Sequence, residues 1–182
     1  MKIRAAAFLL LGILAVPSGA LAGAGSGFGL SLGAAAIVSK DSVTEQQYAR
    51  ATVLGAADFQ LALGESFSLG IILAEASGDA SFPTLPAVTF HKYSMVGLEA
   101  RVWLGAWFVG YQKGTYVFVT TEGFESPKLS GGTEGDGVLI GVEGEGGWFL
   151  VAQTVSIPDV QVPQGPKVDA EGTMLRIGFR WR

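Results

Sequence analysis

The chain has 182 residues, with 12 basic and 16 acidic side chains, one histidine and no cysteine. An acidic balance argues against a nucleic-acid partner, which calls for a basic patch. The absence of cysteine removes disulfides and thiolate metal sites.

The N-terminus carries the first organised signal. Lys2 and Arg4 precede an apolar run over 5–16, followed by Ala20-Leu21-Ala22. A positive start, a short apolar core and a small-x-small site describe a cleavable export signal over 1–22. An uncleaved anchor helix is the alternative, but a membrane span needs about 20 apolar residues. Cleavage leaves one domain, 23–182, with 10 basic and 16 acidic residues, net −6. No later segment reaches the length of an apolar spanning helix. An exported membrane protein without such helices has to be a closed barrel, because only closure satisfies every backbone group in lipid.

The rest of the chain alternates with a period of two, which predicts strands. Phe28, Leu30, Leu32, Ala34, Ala36 and Val38 alternate with small residues, and Val53, Ala57, Phe59 and Leu61 with Thr52, Asp58 and Gln60. Phe67, Leu69, Ile71 and Leu73 form a third set, Val96, Leu98, Ala100 and Val102 a fourth, and Trp107, Val109 and Tyr111 a fifth. Val138, Ile140 and Val142 follow; the parity of 148–157 is open, since Phe149, Val151 and Val155 compete with Trp148, Leu150 and Ala152. The last strand sets Leu175, Ile177, Phe179 and Trp181 against Arg176, Gly178, Arg180 and Arg182. Eight strands are expected in all. Tight turns are expected around Gly64-Glu65, Gly105 and 144–147, and long polar loops over 39–50, 78–92, 119–135 and 158–171. Short turns on one rim and long loops on the other suit an antiparallel transmembrane barrel, with turns periplasmic and loops outside.

Alternation alone does not say which face looks inward. Trp103, Trp107, Trp148 and Trp181 all stand beside short turns or the C-terminus, with Phe28, Phe67 and Phe179 close by. Such a rim is expected as an aromatic girdle at a membrane interface. The opposite parity is rich in Gly, Ser and Ala and carries Asp58, Glu99, Arg101, Glu143, Arg176 and Arg180. These six are expected to form an ion-pair network in the lumen, since buried charges need partners.

On these features the chain resembles the small outer-membrane β-barrel superfamily that includes OmpX-like, opacity-like and OmpA transmembrane-domain proteins. The resemblance implies an all-β, eight-stranded outer-membrane barrel. It implies that Leu175, Ile177, Phe179 and Trp181 form a C-terminal assembly signal read by the barrel-assembly machinery. Members of the family usually end on the aromatic residue, whereas this chain adds Arg182. Outer-membrane lipid and lipopolysaccharide are the surroundings implied.

Chemistry is sparse. Lipid A-modifying barrels use a His with a Ser and an acidic group. His91 and Ser94 are three apart, which on a regular strand sends them to opposite faces. The run from Gly141 to Gly147 lacks the following helix of a dinucleotide fingerprint. Glu134 and Asp136 lack the spacing and ligand number of a calcium loop. No catalytic residue, metal or cofactor is assigned. The expected function is a structural or surface-interaction barrel acting through its outer loops. A narrow pore, a lipid A-modifying enzyme and a soluble periplasmic ligand-binding barrel are the alternatives.

Overall fold

The computed structural model describes residues 24–41, 47–82, 85–122, 128–129, 132–161 and 167–182. The expected export signal therefore lies outside the described residues. The strands are β1 (Gly27–Asp41), β2 (Gln47–Ala62), β3 (Phe67–Phe82), β4 (Leu85–Leu104), β5 (Trp107–Glu122), β6 (Lys128–Leu129), β7 (Thr133–Glu143), β8 (Trp148–Gln161) and β9 (Lys167–Trp181). The two-residue β6 pairs only with β5. The other eight pair antiparallel in chain order, and β9 returns to β1, closing the barrel.

The ladder fixes the barrel's shape. Paired residues followed once around the wall run Phe28, Phe59, Ile71, Leu98, Lys113, Asp136, Ser156, Glu171 and back to Val38. The path returns to β1 ten residues from its start. With a rise of about 3.3 Å and a strand spacing of about 4.8 Å, that stagger gives a tilt of about 40° and a backbone radius of about 8 Å. Such a barrel has room for side chains and no more.

The three tight turns are bent by glycines with positive φ: Gly64 at 92°, Gly105 at 65° and Gly147 at 83°. The long connections differ from expectation. Much of each is strand: β3 and β4 reach Phe82 and Leu85, and β8 and β9 reach Gln161 and Lys167. Glycine and polar residues in these stretches do not stop ladder pairing, so the hairpins project as arms. Asp159, at φ 55°, marks an irregularity in β8, where its backbone N–H donates to Asp169 Oδ1 at 3.0 Å.

The open parity of β8 resolves with Phe149, Val151, Gln153, Val155 and Ile157 inward. The outer face carries Leu32, Leu98, Leu104, Val138 and Ile177, and Leu98 is 67% exposed. The lumen is stacked in layers. Trp103, Phe108, Leu139, Phe149 and Val151 form a floor near the tight turns, joined by Ala24. Leu54, Ile72, Tyr93, Met95, Tyr116 and Phe118 belong to a second apolar cluster toward the long hairpins. The charged groups pack beside the first cluster, with Arg101 over Phe108, Arg180 near Phe149 and Arg176 paired in register with Val151.

An apolar outer face tolerates charge according to depth. Leu98→Arg, near the middle of the band, should cost about 2–4 kcal/mol of folding free energy in vesicles, and Leu104→Arg at the rim about 0–1. Urea titration of both variants measures the difference. Equal costs would contradict a lipid-facing wall.

Candidate functional site

The interior parity places three arginines and three carboxylates in one layer: Arg101, Arg176 and Arg180 with Asp58, Glu99 and Glu143, all buried. Their formal charges sum to zero. Arg180 on β9 is the hub. Its Nη1 donates to Glu143 Oε2 at 2.5 Å, across β8, and its Nη2 donates to Asp58 Oδ1, across β1. The second contact passes over Gly29, where an added Cβ would come within 2.7 Å of Asp58 Oδ2. Glycine at that position is thus what lets Arg180 and Asp58 meet.

Arg101 donates through Nε to Glu99 Oε1, and its Nη2 lies 3.8 Å from Asp58 Oδ1. Arg176 Nη2 donates to Gln153 Oε1 at 3.3 Å and lies 3.8 Å from Glu99 Oε2. Two guanidiniums also cover aromatic floor residues. Arg101 stands 4.5 Å above the Phe108 ring and Arg180 5.2 Å from that of Phe149. This places the positive groups against ring faces that attract them.

Amides and hydroxyls tie the layer to its floor and roof. Trp103 Nε1 donates to Ser68 Oγ at 3.0 Å, Ser68 to Gln60 Oε1 at 3.1 Å, and Gln60 Nε2 to Glu99 Oε1 at 3.2 Å. On the other wall Gln153 Nε2 donates to Gln112 Oε1 at 2.9 Å, and Gln112 Nε2 to the Tyr116 hydroxyl at 3.2 Å. Reading the sequence for charge missed these groups. The polar parity of Gln60, Ser68 and Gln112 was the signal that would have found them.

One expected site residue belongs elsewhere. Trp103 is 2% exposed, and its ring packs 4.7 Å from that of Phe108 inside the barrel. It shares parity with Glu99 and Arg101, so it is a floor residue and not part of an outer girdle. Trp148 and Trp181 point outward at 63% and 52% exposure, and Trp107 is half-buried on the outward parity. At a rise of about 2.5 Å per residue along the tilted axis, Trp107, Trp148, Trp181, Phe28 and Phe67 fall within about 4 Å of one level. Lys113, Asp136 and Glu75, the first outward charges on β5, β7 and β3, stand about 15–20 Å above that level.

Leu175, Ile177, Phe179 and Trp181 form the outward edge of β9 beside β1. Phe179 packs edge-on against both Trp148 and Trp181. Arg182 turns back into the mouth, where Nη2 donates to Glu143 Oε1 at 2.8 Å. Each oxygen of Glu143 therefore meets a different guanidinium. The backbone of His91 falls at a register shift between Phe90 and Lys92, and its side chain lies outside what the structure describes. Ser94 donates to Glu75 Oε2 on the outer wall.

Removing one partner of such a layer strands the others. Asp58→Ala leaves Arg180 and Arg101 short of a buried counter-charge and should cost about 3–5 kcal/mol. Glu75→Ala, which breaks the exposed 3.2 Å pair with Lys92, should cost at most about 1 kcal/mol. Equilibrium unfolding of both variants in vesicles checks the contrast.

No family model matches the chain, and no curated protein matches it in sequence. Solved structures do match its fold. Ail, the attachment invasion locus protein of Yersinia pestis, aligns with TM-score 0.59 at 11% identity over 87% of this chain and 100% of that one. A second Ail structure, in complex with the heparin analogue sucrose octasulfate, aligns with TM-score 0.58 at 11% identity over the same shares. Neisserial surface protein A aligns with TM-score 0.58 at 13% identity, again over 87% and 100%. With its closed eight-strand ladder, filled lumen and aromatic rim, the chain has the fold of the small eight-stranded outer-membrane barrels.

Proposed function

We propose that this protein is a non-enzymatic outer-membrane barrel, 23–182 after removal of its export signal, whose long hairpins form an acidic interaction surface. One observation carries this reading. Apart from the six lumen charges and Arg182, Glu65 and Glu145, the remaining 6 basic and 11 acidic residues of 23–182 fall, in the sequence, within 40–50, 75–92, 113–136 and 159–171, the segments that include the long connections. Those segments sum to −5, nearly all of the −6 of residues 23–182.

Several features support the rest. The apolar outer band and the level ring of aromatic side chains suit a bilayer. The turns and both chain ends belong to the periplasmic rim in this reading, and the hairpins face outward. A lumen filled by floor, ionic layer and roof disfavours a solute path. The fold likeness to an attachment invasion protein and a surface protein fits a role carried by projecting hairpins. An acidic crown favours partners with basic patches, or anionic surfaces bridged by divalent cations, and repels sulfated sugars.

Protease added to intact cells should cleave between β5 and β7 or between β8 and β9, leaving the turns at Gly64 and Gly105 intact. The purified barrel should be retained on a polycationic resin, eluting as salt rises, and should pass through immobilised sucrose octasulfate. Cleavage confined to the tight turns would reverse the topology. Retention on the sulfated resin, or steady single-channel conductance, would overturn the functional reading.

A further inference from the structure

The eight strands do not stay paired over their whole length. β1 and β2 pair without a shift as far as Lys40 opposite Gln47, and β3 and β4 as far as Phe82 opposite Leu85. Yet β2 and β3 pair only as far as Val53 opposite Ser77, and β7 and β8 only as far as Asp136 opposite Ser156. Beyond those rungs the wall divides into two projecting sheets. One holds β8, β9, β1 and β2, and the other β3, β4 and β5. Among the described residues, three stretches there lack a neighbouring strand along one side: 47–52 of β2, 78–82 of β3 and 157–161 of β8. The end of β5 is met by β6. An unpaired edge is a template for a further strand, and proteins blunt such edges with prolines and bulges. Two of the three are blunted. Pro158 and Asp159, at φ 55°, interrupt β8, and the register of β3 shifts between Ser77 and Ala80. The β2 edge has neither device, and its ladder with β1 is regular throughout.

The direction of its backbone groups follows from the ladder. Leu63 N–H donates to the Phe67 carbonyl on the β3 side, whereas Ala62 N–H donates to Ser26 Oγ on the β1 side. Alternation along the regular strand then aims the N–H and C=O of Val53, Ala51, Ala49 and Gln47 toward β3. Val53 meets Ser77; the other three have no described strand opposite them. The edge is about 20 Å long at about 3.4 Å per residue. Ala51 and Val53 are exposed on the outer face beside it, a flat, uncharged wall for β-branched neighbours. We infer that the β2 edge binds an extended segment of a soluble partner protein by strand addition, antiparallel to 47–52, with β-branched residues at every second position. A second copy in the same membrane does not supply this strand. Its β2 rises in the same sense and crosses this one at about 80°, twice the tilt, whereas paired strands stay within about 35° of each other. The inference rests on the reading that the hairpins face the medium, and it adds main-chain recognition to recognition by charge.

The test uses the whole barrel in vesicles. The probe is a short capped peptide of alternating valine and threonine with a lysine at each end, and its twin carries a methyl group on every backbone nitrogen. The unmethylated peptide should bind and slow amide exchange at Ala49 and Ala51 about tenfold, with no change in β7. The methylated twin has no N–H donor and should not bind. Ala49→Pro should weaken peptide binding about tenfold. It deletes one N–H on the open side and leaves the hydrogen bonds to β1 intact, which is where an edge strand accepts proline. Ala49→Val keeps that N–H and should bind the peptide as the original chain does. Ala51→Pro serves if Ala49→Pro does not fold. Equal binding of the methylated twin, protection at the β3 or β8 edge instead, indifference to both proline variants, or a dimer joined through β2 without peptide would overturn the proposal. Retention on the polycationic resin without peptide binding would count against this edge alone. Loss of both would count against the hairpin surface as well.

Discussion

A sheet edge leaves its backbone groups unpaired unless the sheet closes on itself, and everything else in this molecule depends on that closure. Backbone N–H and C=O groups at the edge are satisfied in hydrocarbon only if the last strand finds the first. The β1–β9 ladder does this, pairing Phe28 with Trp181 and continuing to Asp41 with Val168. Once eight strands close with a stagger of ten residues, the tilt and radius follow, and with them the size of the lumen. A backbone radius of about 8 Å leaves an interior that side chains fill. The abundance of inward glycine, which sits beside Asp58, Gln60 and Phe149 among others, is the other half of the same geometry. Long side chains fit only where their neighbours have none.

The ionic layer is costly within this frame. Each buried ion loses several kcal/mol of hydration, and mutual attraction roughly returns it only when the geometry is good. Here some contacts are close, as with Arg180 to Glu143, while others stand at 3.8 Å, and atoms such as Asp58 Oδ2 and Arg176 Nη1 have no hydrogen-bond partner. The layer is therefore better understood as specifying which strands meet than as a large source of stability. Arg180 joins β9 to β7 on one side and to β2 on the other. A slip of one residue in β9 would turn Arg176 and Arg180 onto the apolar outer face and bring Leu175 and Phe179 inside. Arg182 extends this logic beyond the terminal aromatic residue, since its guanidinium completes the pairing of Glu143.

Charge is partitioned as sharply as apolarity. The lumen is neutral, the band nearly uncharged, and the hairpin crown carries the excess of carboxylates. That partition underlies the proposed function. In the proposed reading, the acidic excess of the segments that include the long connections favours partners of opposite sign.

The sequence by itself determined the strands, their number and the two faces, because a period of two survives without any knowledge of neighbours. It put Glu99 and Arg101 on one face and Leu98 and Val102 on the other, and the same parity already separated Trp103 from Trp107. Judging tryptophans by their distance from a turn, and not by parity, is what misplaced Trp103. The tertiary structure alone decided the rest. Shear determines that Arg180 reaches both Asp58 and Glu143, residues 122 and 37 positions away, since contact across a barrel depends on the stagger accumulated around its whole wall. Only neighbouring strands settled the parity of β8, where both faces are apolar because its inward residues build floor and roof. The hairpin arms, too, depended on pairing: a glycine-rich polar stretch is a loop or a strand according to whether a partner lies within hydrogen-bonding distance, and no local pattern contains that information.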